Sequence, residues 1–194
     1  MKRDRRQQII ATAMELFGKK GFRGTTTRDL ATEADVNEAI IFRHFKTKEE
    51  LYTAIIEQKA GERDSYHEEL ERLATVGDDE QFLEAVGRTF LEKHETDTTF
   101  MRLLLFSALE GHQLSDMFVS SMAERHPIAN YIKRRIGDGA FRQVDPQLAA
   151  RALMGMFASF IMWQEIFGFK NKQPRDREEV VRTFVSIFLS GMRR

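Results

Sequence analysis

Apolar residues recur every three to four positions along nearly the whole chain, and runs that alternate apolar with polar are nearly absent. That spacing predicts an all-α protein. Near the start, Ile9, Ala13, Leu16 and Phe17 fall on one stripe of a helix running from about Asp4 to Lys19. Lys19 and Lys20 suit its C-terminal dipole, and Gly21 is the expected left-handed cap. Phe22 should then close over a small core.

Between Thr25 and Lys48 two short helical patterns stand side by side, joined by Ala34-Asp35-Val36. The first opens at Thr26 with Asp29 three residues on, the Thr-x-x-Asp form of a capping box. The second opens at Asn37, a good N-cap, and carries Ile40, Ile41 and Phe45. Leu30, Ala31, Val36, Ile41 and Phe45 are the expected buried members. Two short helices on so tight a connector make a helix-turn-helix, whose second helix can enter a DNA major groove. Thr47 and Glu50 form a second capping box, which opens a long helix through Leu51, Ala54 and Ile55. A highly charged run extends it to Leu73, and Gly77-Asp78-Asp79 breaks it.

The remainder reads as further helices. Asp79 to His94 carries Phe82, Val86, Phe90 and Leu91 on one side. Phe100 to Leu109 is densely apolar and expected to be buried on most sides. Ser115 caps a stretch with Met117, Phe118 and Met122, which continues from Pro127 to Ile136. Asp145-Pro146 pairs a cap with proline in the first turn and opens a helix to about Phe167, apolar almost all round. After a basic loop from Gly168 to Arg175, a last helix from about Asp176 to Met192 presents Val180, Val181, Phe184, Ile187, Phe188 and Leu189. The pattern gives about nine helices. Residues 1–48 form a three-helix head, and a continuous long helix joins it to a helical body over residues 49–194.

Composition narrows the function. Hydrophobic residues make up 42% and charged residues 31%, enough for a sizeable core in a soluble chain. The absence of cysteine excludes disulfide frameworks, thiolate zinc sites and cysteine nucleophiles, and fits a reducing cytoplasm. The basic N-terminus is followed by no apolar h-region and is not a secretory signal. No apolar run reaches the roughly 18–20 residues of a membrane helix, so no membrane partner is expected. The net charge is zero, yet residues 1–48 hold 11 Lys and Arg against 6 Asp and Glu. A basic head on an acidic body suits a phosphate-binding module joined to a different one. The five histidines (His44, His67, His94, His112, His126) lack metal-ligand spacing, and no glycine-rich phosphate loop or nucleophile elbow occurs. We expect no enzyme, no catalytic residue, no metal and no cofactor. A helical scaffold or adaptor that uses the basic head for protein contacts is the alternative to a DNA-binding regulator.

Residues 5–56 closely resemble the DNA-binding domain of TetR-family transcriptional regulators. The resemblance rests on RRQQIIATAMELFGKKGFRGTTTRDLA, the connector ADVN and the run IIFRHFKTKEELYTAI. It implies a cytoplasmic homodimeric repressor, bound to a near-palindromic double-stranded DNA operator and released by a small, largely apolar effector held in the body. Three departures stand out. Asp35 occupies a turn position where the family usually has glycine, and asparate tolerates the left-handed conformation better than most residues. Phe42 stands where a tyrosine is usual, so a phosphate-contacting hydroxyl is missing. Glu38 also sits where a basic residue is common.

On this reading Thr27 and Arg28 reach the DNA backbone beside an N-terminal helix dipole. His44, Lys46 and Lys48 suit phosphate positioning. Asn37, Glu38, Ala39, Ile40, Phe42 and Arg43 occupy the groove helix. Ile40 can touch a thymine methyl, and Arg43 can read guanine or hold phosphate. Glu38 either repels phosphates or accepts from a cytosine amino group. Phe42 either makes an apolar base or sugar contact or packs in the head. Arg3, Arg5 and Arg6 are read as a flexible basic arm, or as plain solvated charge. Effector candidates are Met101, Arg102, Phe106, Met117, Phe118, Met122, Phe157, Phe160 and Trp163, with ordinary core packing as the competing role and pliable methionine suiting a pocket of variable shape. The last two long helices are the expected homodimer interface, as a two-fold four-helix bundle.

Overall fold

The computed structural model describes residues 4–76, 78–111 and 127–193, the side chains at 60, 62–69 and 76 aside. Among them the chain is helical, with no strand beyond an isolated bridge between Phe141 and Arg193. The described residues fall into two compact units, one formed by residues 4–64 and 99–111, the other by the rest.

In the first unit, α1 (Arg5–Lys20), α2 (Thr27–Glu33) and α3 (Glu38–His44) pack with the first half of α4 (Lys48–Val76) and with α6 (Thr99–Leu109). Ile9, Ala13, Leu16 and Phe17 all point inward, as the stripe required. Leu30, Ala31, Ile41 and Phe45 are buried with them, whereas Val36 is only partly so. Phe17, Phe22 and Tyr52 form an aromatic trio with centroids 5.4, 5.4 and 5.6 Å apart. Each such pair adds about 0.5–1.5 kcal/mol beyond the area it buries. Gly21 has positive φ but ψ near 170°, so it ends α1 in an extended conformation open to glycine alone and not as the left-handed cap the sequence predicts.

α6 lies along α1 so closely that a Cβ on Gly18 would stand 2.9 Å from the Thr99 carbonyl oxygen. A Cβ on Gly21 would stand 2.5 Å from a Glu110 carboxylate oxygen. The same carboxylate accepts from the Arg23 N–H, and the buried Tyr52 hydroxyl donates to the Leu103 carbonyl at 3.2 Å. Burial pushes the Tyr52 phenol up to about 12. Despite its apolar composition, α6 buries only Leu103 and Ser107, and Leu109 is exposed. The expectation of burial on most sides was too strong, because only the stripe against α1 and α4 is covered.

In the second unit, α5 (Asp79–Thr96), α7 (Pro127–Gly137), α8 (Pro146–Ile161) and α9 (Arg177–Met192) surround Phe82, Leu83, Val86, Ile132, Leu153, Phe157, Val181 and Val185. Asp145 caps α8 as expected, accepting from the Leu148 N–H at 2.9 Å. Asp176 caps α9 in the same way. Arg88 of α5 grips Glu178 of α9 with two hydrogen bonds of 2.7 Å. Arg177 reaches Glu95, and Tyr131 donates to Asp79 at 2.6 Å. The α-helical part of α8 stops at Ile161. Its continuation to Ile166 is a π turn, closed by the Phe167 N–H on the Met162 carbonyl.

Candidate nucleic-acid interface

The helix-turn-helix is built by local bonds first. The Thr26 hydroxyl accepts from the Asp29 N–H at 3.1 Å, and the Asp29 carboxylate accepts from the Thr26 N–H at 2.9 Å, which completes the capping box. Asp29 also receives the Thr26 hydroxyl and the Lys20 ammonium. The Thr26 backbone bond, then the hydroxyl, then Lys20 hold the Asp29 carboxyl down at about 2, against an ordinary 3.8. Asp35 takes φ +50°, the left-handed turn conformation that its side chain tolerates. The Val36 N–H returns to the Ala31 carbonyl at 3.0 Å. Asn37 then caps α3 by accepting from the Ile40 N–H at 2.9 Å.

Distant residues fix this pair of helices to the rest of the unit. The Gln8 side-chain amide donates to the Ala34 carbonyl at 2.8 Å, across the turn. The Lys48 ammonium donates to the Phe22 and Thr25 carbonyls, at 2.7 Å each, and lies 4.3 Å from the Phe22 ring centroid. Thr47 caps α4 by accepting from the Glu50 N–H, while Glu50 accepts from the Lys46 N–H at 2.7 Å. The second capping box is therefore displaced by one residue from its usual return bond.

With Ile41 and Phe45 turned inward, α3 presents Glu38, Ala39, Phe42 and Arg43 to solvent. Phe42 is 51% exposed, which rules out the head core as its place. Ile40 is half-buried. Asn37, Arg28 and Lys46 are exposed, while Thr27 and Lys48 are partly covered. His44 is partly buried, with its Nε2 lacking a hydrogen-bond partner among the described residues. The structure thus brings the predicted DNA-facing residues onto one unit, around α3 and the starts of α2 and α4.

Two details lay beyond the sequence reading. Arg5 and Arg6 are helical and not a flexible arm: Asp4 caps α1 on the Arg6 N–H, and the Arg6 guanidinium sits 5.2 Å over the Phe45 ring. Arg3 lies outside the described residues. The roles of Gln8 and of the Lys48 main-chain bonds were also missed, since a partner 23 or 26 positions away leaves no mark on local spacing.

The effector candidates are dispersed. Met101, Arg102 and Phe106 lie half-buried on α6 of the first unit. Phe157 is fully buried in the second unit, its ring seated on Gly87, with Phe160 half-buried and Trp163 exposed on the same helix and its π turn. Phe160 and Trp163 border an open concavity of about 530 Å³ with Gly155, Met156, Ser159 and Phe184. Met117, Phe118 and Met122 lie outside the described residues. No cluster of potential metal ligands occurs among the described residues, and no helix there is long and apolar enough to cross a membrane.

Residues 9–55 match the family model described as bacterial regulatory proteins of the tetR family, and residues 81–191 match the C-terminal domain of AefR-like transcriptional repressors. An uncharacterized HTH-type transcriptional regulator of Bacillus subtilis, YvkB, is 40% identical over 89 residues, which cover 46% of this chain and 44% of that protein. The HTH-type transcriptional repressor KstR2 of Mycolicibacterium smegmatis is 23% identical, covering 97% of this chain and 90% of its own. The transcriptional regulator FadR of Bacillus subtilis, solved in complex with stearoyl-CoA, shares the fold with a TM-score of 0.71. It is 18% identical and covers 95% of this chain and 98% of its own.

Proposed function

The chain belongs to the TetR family of bacterial transcriptional regulators, and we propose that it acts as a cytoplasmic, homodimeric repressor whose two α3 helices enter successive major grooves of a near-palindromic operator. The observation that carries this reading is the outward face of α3, where Glu38, Ala39, Phe42 and Arg43 stand clear of the core on a helix whose start is capped by Asn37 and whose preceding turn is tied to Gln8. Residues 1–48 supply the contacts and residues 49–194 the pairing and effector response.

In this arrangement Thr27, Arg28, His44 and Lys46 meet phosphates, and Lys48 adds the one proton not given to main-chain carbonyls. Asn37, Glu38, Ala39, Ile40, Phe42 and Arg43 face the groove. The neutral charge of the whole chain does not oppose this, because the excess of cations is local to the head.

Pairing runs through α8 and α9. Each leaves an apolar side uncovered: Leu148, Trp163 and Phe167 along α8 and its π turn, Ile187 on α9. A second copy is the occupant that buries this face in both chains at once. Two heads held 34–36 Å apart, or a multiple, then span successive turns of the duplex.

The effector is small and largely apolar, drawn to the methionine and aromatic side chains already named, and its binding shifts the population away from the DNA-bound arrangement. The stearoyl-CoA held by a regulator of the same fold supports an apolar class of ligand. The protein has no catalytic role in this scheme. Selection of duplexes from a random pool tests it. A selected duplex should bind far more tightly than bulk DNA, with an affinity that falls steeply as salt is added. Equal affinity for all duplexes would sink the proposal.

A further inference from the structure

The outward face of α3 carries a combination that phosphate binding does not account for. Glu38 is a carboxylate on a surface that faces a polyanion; it stands in the first turn of α3, where the helix dipole favours an acid, but the capping itself is done by Asn37 and leaves the carboxylate free. Among the described residues no hydrogen bond or ion pair engages Glu38. Four residues on, Phe42 leaves half its surface in water although Ile41 and Phe45 beside it are buried. Residues four apart share one helix face, so carboxylate and ring point the same way. Ala39 between them adds only a methyl and lets the backbone approach closely.

A carboxylate in that place is excluded from the phosphate walls and needs a donor on the groove floor. The floor offers two, the cytosine N4 and adenine N6 amino groups. Beside the adenine donor lies the N7 acceptor, which repels a group that can only accept. The cytosine amino group has a C–H at that side and no such conflict. An exposed phenyl ring finds its apolar match on the same floor in the thymine methyl. The rise between residues four apart is about 6 Å, close to two base-pair steps of roughly 3.4 Å.

We propose that each operator half-site carries a cytosine and a thymine within about two base steps, the cytosine amino group accepted by Glu38 and the thymine methyl covered by Phe42. The inference rests on the reading of α3 as the groove helix and adds the bases it selects. Glu38 raises specificity at a cost to general affinity, because it also repels the backbone.

The test uses the full-length chain and the duplex it selects from a random pool. Binding is measured for wild type, Glu38→Gln and Phe42→Ala against single-base variants of that duplex. At one position wild type should prefer cytosine by roughly tenfold or more. Glu38→Gln should lose that preference and turn toward adenine, since an amide can both accept from N6 and donate to N7. The same variant should bind unselected DNA more tightly than wild type, because the charge that repels the backbone is gone. Replacing one thymine by uracil, which removes only the methyl, should weaken wild type several-fold and leave Phe42→Ala unchanged. Both side chains are exposed, and a thermal melt confirms that each variant folds. If both variants keep the wild-type base preferences throughout, the assignment is overturned while groove binding stands. If wild type selects no duplex above bulk, both readings fall.

Discussion

Lys46 and Lys48 stand two positions apart, yet their ammonium groups have different surroundings. Lys46 is exposed, whereas Lys48 spends two protons on the Phe22 and Thr25 carbonyls and stacks on the Phe22 ring. Lys46→Met should leave the melting temperature nearly unchanged and lower the slope of log affinity against log salt by about one. Lys48→Met should instead destabilise the protein by about 1–3 kcal/mol, as charge-assisted bonds to buried carbonyls are lost. Denaturant titration paired with binding across a salt series separates the two outcomes. Asp29 gives a pH test at the same scale. Its carboxyl titrates near 2 in the folded chain and near 3.8 when free. The unfolded chain therefore takes up the proton first as pH falls. The stability owed to the ionised group is complete above that free value and disappears as pH drops through about 2. Asp29→Asn should melt lower than wild type at neutral pH, with the gap closing between pH 4 and 2.

At the scale of helices, one close contact sets a ring against a backbone. A Cβ at Gly87 of α5 would lie 2.3 Å from Cζ of Phe157 on α8. Gly87→Ala should cost about 1–3 kcal/mol through overpacking, despite alanine's better helix propensity. Adding Phe157→Leu should recover part of that loss, and a double-mutant cycle on urea midpoints measures the coupling. The helix starts were legible because their signals are local. Thr26 with Asp29, Asn37 and Asp145 each bond within three residues, and these three caps form as the sequence indicated. The outward set on α3 was legible for the same reason, since the inward Ile41 and Phe45 fix the face by periodicity. What eluded the sequence is contact between distant segments. Nothing in the local spacing singles out Gly18, and only the structure makes it the seat of the Thr99 carbonyl. The π turn after Ile161 was hidden too, because Met-Trp-Gln-Glu-Ile holds no proline or glycine and suits an α-helix as well as the turns before it.

At the scale of the whole molecule, the uncovered side of α8 and α9 makes the pairing testable by two independent readouts. Ile187 is 58% exposed in the single chain. Ile187→Arg should therefore leave the melt of an isolated chain nearly unchanged, while sedimentation shows monomers and operator affinity collapses. Trp163 is the one tryptophan of the sequence and is half-exposed. Its emission should move to shorter wavelength as wild-type protein is concentrated, and should stay fixed for Ile187→Arg. The contact between α6 and α1 carries a consequence of another kind, for anyone who treats such a protein as a kit of interchangeable parts. The helix α3 belongs to a unit assembled from two separate stretches of chain, with Thr99–Leu109 lying against Gly18 and Gly21 and accepting the Tyr52 hydroxyl. A chimaera that takes only the first 48 residues from this chain inherits two glycines shaped for a neighbour left behind. A graft that brings α6 along keeps the pieces matched, and the joint belongs on either side of that helix.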